Sequence, residues 1–217
     1  MHKPRAKLVF AEAGIRIAPG TALQGRKYSR ADVDDLLRRF GPEVVVKPTS
    51  EGSALGVEFC SNAEEFCAVL RDAGSSGSRL MVERRITGRE ITVGVLEGHG
   101  SICAFAPIEI RTPADTWYDF EHRYTAGGSE HVIPAELDAD MLSLLQAAAL
   151  RAHVSLGCRD FSRADFIVGG DGAYLLEVNT IPGMTPTSLF PDGAAHAGVD
   201  FRTLVSHLVR SPLLRNT

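Results

Sequence analysis

Apolar positions along the chain follow two periods, and the switches between them predict its elements. Residues 3–13 read as a short helix stopped by Gly14, followed by an alternating stretch at 15–18 and a turn at Pro19-Gly20. Val33, Leu36, Leu37 and Phe40 fall at helical spacing, which predicts a helix over 29–39 capped by Ser29 and ended by Gly41-Pro42. Val44-Val45-Val46 reads as a short buried strand, and residues 55–60 as the next. Asn62 caps a helix through residue 73, a Gly/Ser loop covers 74–78, and residues 80–82 return to strand. From residue 87 the period is mostly two. Ile91, Val93 and Val95 alternate with polar or small residues, as in a half-buried strand, and residues 102–110 return after a turn at 98–100. A helix is expected over 134–156, then strands at 164–168 and 174–178. A last helix would have Phe201, Leu204, Val205 and Leu208 as its buried stripe.

Hairpins mixed with helices favour an α+β fold over a doubly wound parallel sheet. A boundary near 84–88 divides the chain into lobes at 1–86 and 87–217. The stretch 111–132 has no clear period. Loops longer than about 12–15 residues in a compact domain are usually lids or binding loops.

Composition narrows the classes. The 217 residues suit one domain or two small lobes, and 44% apolar with 23% charged is ordinary for a globular chain. That excludes a disordered tail, a collagen-like repeat and a disulfide miniprotein. Twenty-three basic against 27 acidic side chains give a net charge of −4, which argues against a nucleic-acid binder. No apolar run approaches the ~20 residues that span a bilayer. The basic start at 1–5 leads into no apolar core, so a signal peptide is not expected. Cys60, Cys67, Cys103 and Cys158 are scattered and read as reduced thiols of a cytoplasmic protein.

The strongest chemistry lies at Arg163-Ala164-Asp165-Phe166, a Gly-rich turn, and Glu177-Val178-Asn179. A three-residue loop Gly170-Asp171-Gly172 would place Asp165 opposite Glu177. Asn179, two residues on, shares that face. Two carboxylates and an amide suit Mg²⁺ when phosphates supply the other ligands, and a bridging Glu could hold two ions. Surface acids on an exposed strand pair are the competing reading, but Phe166, Ile167, Leu175 and Leu176 mark core strands.

A second candidate is Val46-Lys47 followed by residues 48–56. Gly52 and Gly56 let backbone N–H groups approach phosphate, Ser53 adds a hydroxyl, and Lys47 supplies a point charge. It is no Walker A loop, and an ordinary hairpin would have the same composition. Residues 83–90 read on their own as a polar turn with charge pairs. The alternative is a hinge that reads an adenine edge, with Glu90 on a ribose diol.

Together these segments resemble the ATP-grasp superfamily and, within it, the D-alanine–D-alanine ligase family. The resemblance runs from residue 2 to about 208 and is most specific over residues 174–188, with 47–56, 118–124, Arg163 and Asp165 as further matches. It implies an ATP-grasp fold, two α+β lobes with the nucleotide in the cleft between them. It also implies a cytoplasmic ligase that forms a dipeptide for peptidoglycan and cell-wall biogenesis. ATP and two Mg²⁺, with Mn²⁺ as a substitute, would be the cofactors, and D-alanine or another small amino acid the substrate.

The resemblance also implies residue roles. Lys3 and Lys47 would contact phosphates, with Gly52, Ser53 and Arg123 also at the nucleotide. Glu83, Arg84 and Ile86 would line the adenine pocket and Glu90 would hold the ribose. Asp165, Glu177 and Asn179 would bind the metal ions. Arg163 and the Gly183 backbone would form an oxyanion hole, and Ser188 and Leu189 would hold the second amino acid's carboxylate. Ser53 and Tyr124 would join a relay with an N-terminal glutamate. The tyrosine there goes with an amine nucleophile and so with peptide formation.

Departures from the family pattern are Ala54 for a serine, Arg123 for a lysine, and Phe161-Ser162 for small or aliphatic residues. The family's further N-terminal domain of roughly 90–100 residues, with its relay glutamate, is not expected in this chain. The resemblance therefore leaves open a fragment or a short form, a homodimer, and a separate protein supplying the donor domain. A ligase for other amino acids in specialised metabolism and a non-catalytic nucleotide-binding remnant are the competing functions.

Overall fold

The structure is a computed structural model that describes residues 2–24, 27–52, 55–76, 79–98, 101–113 and 128–214. Contacts divide the chain into two units: Met1–Leu8 with Ala18–Ile86, and Val9–Ile17 with Thr87–Thr217. Helix α1 (Lys3–Glu12) contributes residues to both.

In the first unit, helices α2 (Arg30–Phe40) and α3 (Ala63–Ser76) accompany a four-stranded antiparallel sheet. Its order is β1 (Gly20–Ala22), β4 (Leu80–Arg84), β2 (Val44–Pro48), β3 (Glu58–Cys60). Ser29 starts α2 with a reciprocal cap. Its hydroxyl accepts from the Asp32 N–H at 3.3 Å while the Asp32 carboxylate accepts from the Ser29 N–H at 2.8 Å. The apolar stripe then lands where the spacing puts it: Val33, Leu36 and Phe40 join Phe66, Val44, Val46 and Val82 in one core. Three details differ from the pattern reading. Gly20 opens β1 opposite Glu83 instead of making a turn. A Cβ there would stand 2.7 Å from Glu83 Cγ, so close approach explains the glycine. Strand β3 starts later than residue 55, and α3 runs on through Ser76.

The second unit is built on a larger antiparallel sheet. Its order is β10 (Gly172–Asn179), β9 (Phe161–Gly169), β5 (Arg89–Gly98), β7 (Ile108–Arg111), β8 (Glu130–Val132), with β6 (Ser101–Ala104) also on β5. The expected single return strand is broken at residues 105–107, yet both pieces pair with β5. The break turns Phe105 into the core, its ring centroid 5.4 Å from that of Phe190. Helix α4 (Ala139–Ser155) begins later than expected, at Asp138, which accepts from the Met141 N–H at 2.8 Å. Helix α5 (Leu189–His196) and strand β8 have no counterpart in the pattern reading.

Strand β5 was expected to be half-buried, but both its faces are covered from Ile91 to Leu96. Helix α4 lies on one side, where His153 Nδ1 is 2.8 Å from Ser162 Oγ and Ser162 pairs with Val95. Helix α5 lies on the other, where Phe190 meets Gly94. In α6 (Phe201–Leu214), Leu204 is fully buried and Leu208 packs beside it. Phe201 and Val205 are instead exposed, at 52% and 36%. The covered arc of that helix is narrower than its apolar arc.

A Cβ at Gly94 would fall 2.6 Å from Phe105 and 3.0 Å from Phe190. Gly94→Ala is therefore expected to lose about 1–3 kcal/mol in urea unfolding, the usual cost of overpacking. A change below about 0.5 kcal/mol, typical of neutral surface changes, would contradict this packing.

Candidate active site

The first unit gathers lysines around one carboxylate. Strand pairing sets Glu83 opposite Val45, so Lys47, two residues on, shares its face. Lys47 Nζ lies 2.7 Å from Glu83 Oε2, and Lys7 Nζ lies 2.8 Å from Oε1. Burial would raise the Glu83 pKa, but the charges of Lys47 and Lys7 outweigh it and hold the carboxyl below its ordinary range. Lys3 Nζ donates to the Glu51 carbonyl, and the Lys3 N–H to the Thr49 carbonyl at 2.8 Å. Two lysines against one glutamate leave the Glu83 cluster net positive, as phosphate binding requires.

Lys7 escaped the pattern reading, although its spacing of four from Lys3 on a helix places both on one face. Gly52 is exposed at the end of this segment. Arg84 does not join the cluster; its Nε donates to the Phe40 carbonyl at 3.0 Å. Ile86 is partly buried, and Glu83 turns its carboxylate to the lysines. Ser53, Tyr124 and Arg123, like Ala54, lie outside the described residues.

The second unit carries the acidic hairpin, and its register differs from the expected one. The turn has two residues, Gly170-Asp171, so Gly169 faces Gly172 and Phe166 faces Leu175. A bulge between Leu175 and Glu177 then inserts one residue, which brings Glu177 opposite Asp165 and Asn179 opposite Arg163. The expected pairing is present, produced by a bulge instead of a longer loop. Arg16 braces the turn. Its Nη2 lies 2.6 Å from Asp171 Oδ2 and 2.6 Å from Tyr174 Oη, and its guanidinium carbon sits 4.2 Å over the Tyr174 ring.

On the shared face the side chains converge on Asp165. Asn179 Nδ2 donates to Oδ2 at 2.8 Å. Arg163 spans the carboxylate, Nε to Oδ1 and Nη2 to Oδ2, both at 2.9 Å. Thr92 Oγ1 donates to Oδ1 at 2.6 Å from the neighbouring strand β5. Glu90 lies two residues from Thr92 on the same strand face, opposite Ile110 and Ile167. Asn179 spends its N–H₂ on Asp165, which leaves its carbonyl oxygen as the end that could meet a cation. Oxygen donors from Asp165, Glu177 and Asn179 fit a hard cation. Among the described residues no group of three His, Cys, Asp or Glu side chains is placed to hold a metal ion, so the hairpin offers two carboxylates and an amide.

Beyond the hairpin, Ser188 is the N-cap of α5, but its side chain makes no cap bond to the helix. Its Oγ accepts from the Thr185 N–H at 3.0 Å and lies 2.8 Å from Thr185 Oγ1. A Cβ at Gly183 would come within 2.7 Å of that same oxygen, so a larger residue there would displace the Ser188 hydroxyl. Leu189 buries its side chain against Ile108 and Ile110. Only its backbone, at the helix N-terminus, is available to a carboxylate ligand.

A family model described as the D-ala D-ala ligase C-terminus matches residues 9–210. The chain belongs to the D-alanine–D-alanine ligase family. It is 39% identical to the D-alanine–D-alanine ligase of Halalkalibacterium halodurans over 215 residues, covering 98% of this chain and 69% of that protein. Identity to the ligase of Geobacter sulfurreducens is 42%, over 99% of this chain and 66% of that one. The solved D-alanine–D-alanine ligase of Bacillus anthracis complexed with ATP superposes with a TM-score of 0.79 at 26% identity, covering 98% of this chain and 65% of that one. The chain thus spans about two-thirds of the length of these ligases. The α+β antiparallel architecture described above is the ATP-grasp fold of the ligase family. Among the described residues no helix is long and apolar enough to cross a membrane.

Proposed function

We propose that this chain takes part in ATP-dependent ligation of a carboxylate to an amine, with D-alanine as the amino acid, through an acyl phosphate. One observation carries the reading: Arg163, Asp165, Glu177 and Asn179 share one sheet face in a register that a bulge restores. An ordinary exposed hairpin needs neither the bulge nor a buried arginine, and Arg163 is 8% exposed.

In the proposed reaction a carboxylate oxygen attacks the γ-phosphorus of ATP and ADP leaves. The amine of a second amino acid then attacks the acyl carbon, phosphate leaves and the nitrogen loses a proton. Lys3 and Lys47 offset phosphate charge in the first step. Asp165, Glu177 and the Asn179 carbonyl would hold Mg²⁺, which supplies charge neutralisation at the transferring phosphoryl group. Arg163 and the Gly183 N–H stabilise the oxyanion of the second step, where preorganised donors have their largest effect. Ser188 and the start of α5 receive the second carboxylate. The Glu83 carboxylate is committed to Lys7 and Lys47. It thereby fixes Lys47, and the Glu83 backbone is paired within the sheet, between Gly20 and Val45. The first unit supplies phosphate binding, and the second supplies metal binding and acyl transfer.

ADP formation across a panel of amino acids with ATP and Mg²⁺ tests the proposal. ADP is expected with D-alanine. Tight ATP·Mg²⁺ binding with no ADP formed from any amino acid would leave a nucleotide-binding module and sink the ligase reading. ADP with other amino acids only would transfer the proposal to a different substrate.

A further inference from the structure

Thr92 sits in the middle of β5 at 0% exposure, between Ile91 and Val93. Valine would fill that volume equally well, so the hydroxyl needs its own reason. A buried hydroxyl left without a partner costs about 1–3 kcal/mol. It has two acceptors in range, Asp165 Oδ1 at 2.6 Å and the Ala164 carbonyl at 3.2 Å. With one proton to give, the shorter approach to an ionised carboxylate takes it.

The donors around Asp165 are not equivalent. Arg163 and Asn179 contact it from β9 and β10, and in the proposed reaction both serve other groups, the oxyanion and the metal. Thr92 approaches from β5, the central strand, with a β-branched side chain of few rotamers. It is the donor that can hold Asp165 while the other two change partners.

We propose that Thr92 is a positioning residue that fixes the Asp165 carboxylate for divalent-cation binding. This rests on the metal-binding reading of Asp165. The test measures Mn²⁺ affinity in the presence of ADP, by paramagnetic resonance of free Mn²⁺, for the parent, Thr92→Val, Thr92→Ser and Asp165→Asn. Thr92→Val is expected to weaken Mn²⁺ binding by about 10–100-fold, the usual effect of removing a group that orients a ligand. Its cooperative thermal unfolding should persist. Thr92→Ser should keep the parent affinity, because it keeps the hydroxyl. Parent-like binding by Thr92→Val, or equal loss in Thr92→Ser, would overturn the proposal, the second by assigning the effect to the methyl group. If the parent binds no Mn²⁺, or Asp165→Asn binds as well as the parent, the metal site itself is refuted and the Thr92 proposal falls with it.

Discussion

Glu177→Gln should cut ADP formation by on the order of 10³-fold, the scale on which removal of a charge-stabilising group acts in an active site. Glu177 stands opposite Asp165 on the face that also holds Arg163 and Asn179. Glutamine keeps the shape and one oxygen but removes the charge that draws a divalent cation next to phosphates. Glu177 is half-buried on β10 and glutamine keeps its volume, so thermal unfolding should be unchanged. Retained ADP formation in a folded Glu177→Gln protein would refute its assignment as a metal ligand. Lost ADP formation with lost folding would be a structural effect, which a circular dichroism melt separates.

Glu83→Ala should have the largest effect on stability. Glu83 is 2% exposed and lies within 3 Å of both Lys7 and Lys47. Its removal takes the carboxylate away from two buried ammonium groups. Removing one partner of a buried pair typically costs about 3–5 kcal/mol. A loss under about 1 kcal/mol in urea unfolding, as for an exposed pair, would contradict the burial of this cluster.

The same cluster sets a pH dependence. Glu83 has a folded pKa below its unfolded value of about 4.3, so its stabilisation is complete above that value and is lost as pH falls through the folded one. Glu109 behaves alike. Hydrogen bonds from Arg89 outweigh burial and, with Arg111, hold its carboxyl at about 2. Stability should therefore fall between about pH 4 and pH 2. Glu109→Gln should shallow that fall; an unchanged acid limb would contradict the pairing.

Much of this was legible in the residues, for reasons that can be traced. Local periodicity and the cap Ser29 located α2, because those interactions lie within one turn. The Asp165–Glu177 pairing was legible too, although through a loop that does not exist; the bulge compensates for the shorter turn. What escaped depends on distant coverage. Thr92 reads as an outward polar position until α5 is known to cover that side of β5. Phe201 and Val205 read as core because periodicity reports the apolar arc of a helix and not how much of it a neighbour covers. The break at 105–107 accompanies the tilted ring contact of Phe105 with Phe190, separated by most of the unit's sequence.

In the proposed reaction a substrate carboxylate attacks the γ-phosphate of ATP. D-Alanine labelled with ¹⁸O in its carboxylate, incubated with the chain, ATP and Mg²⁺, tests it directly by mass spectrometry of the phosphate released. The account predicts that one carboxylate oxygen passes into phosphate as the peptide bond forms. ADP released with unlabelled phosphate would contradict it, because the γ-phosphate would then have gone to water.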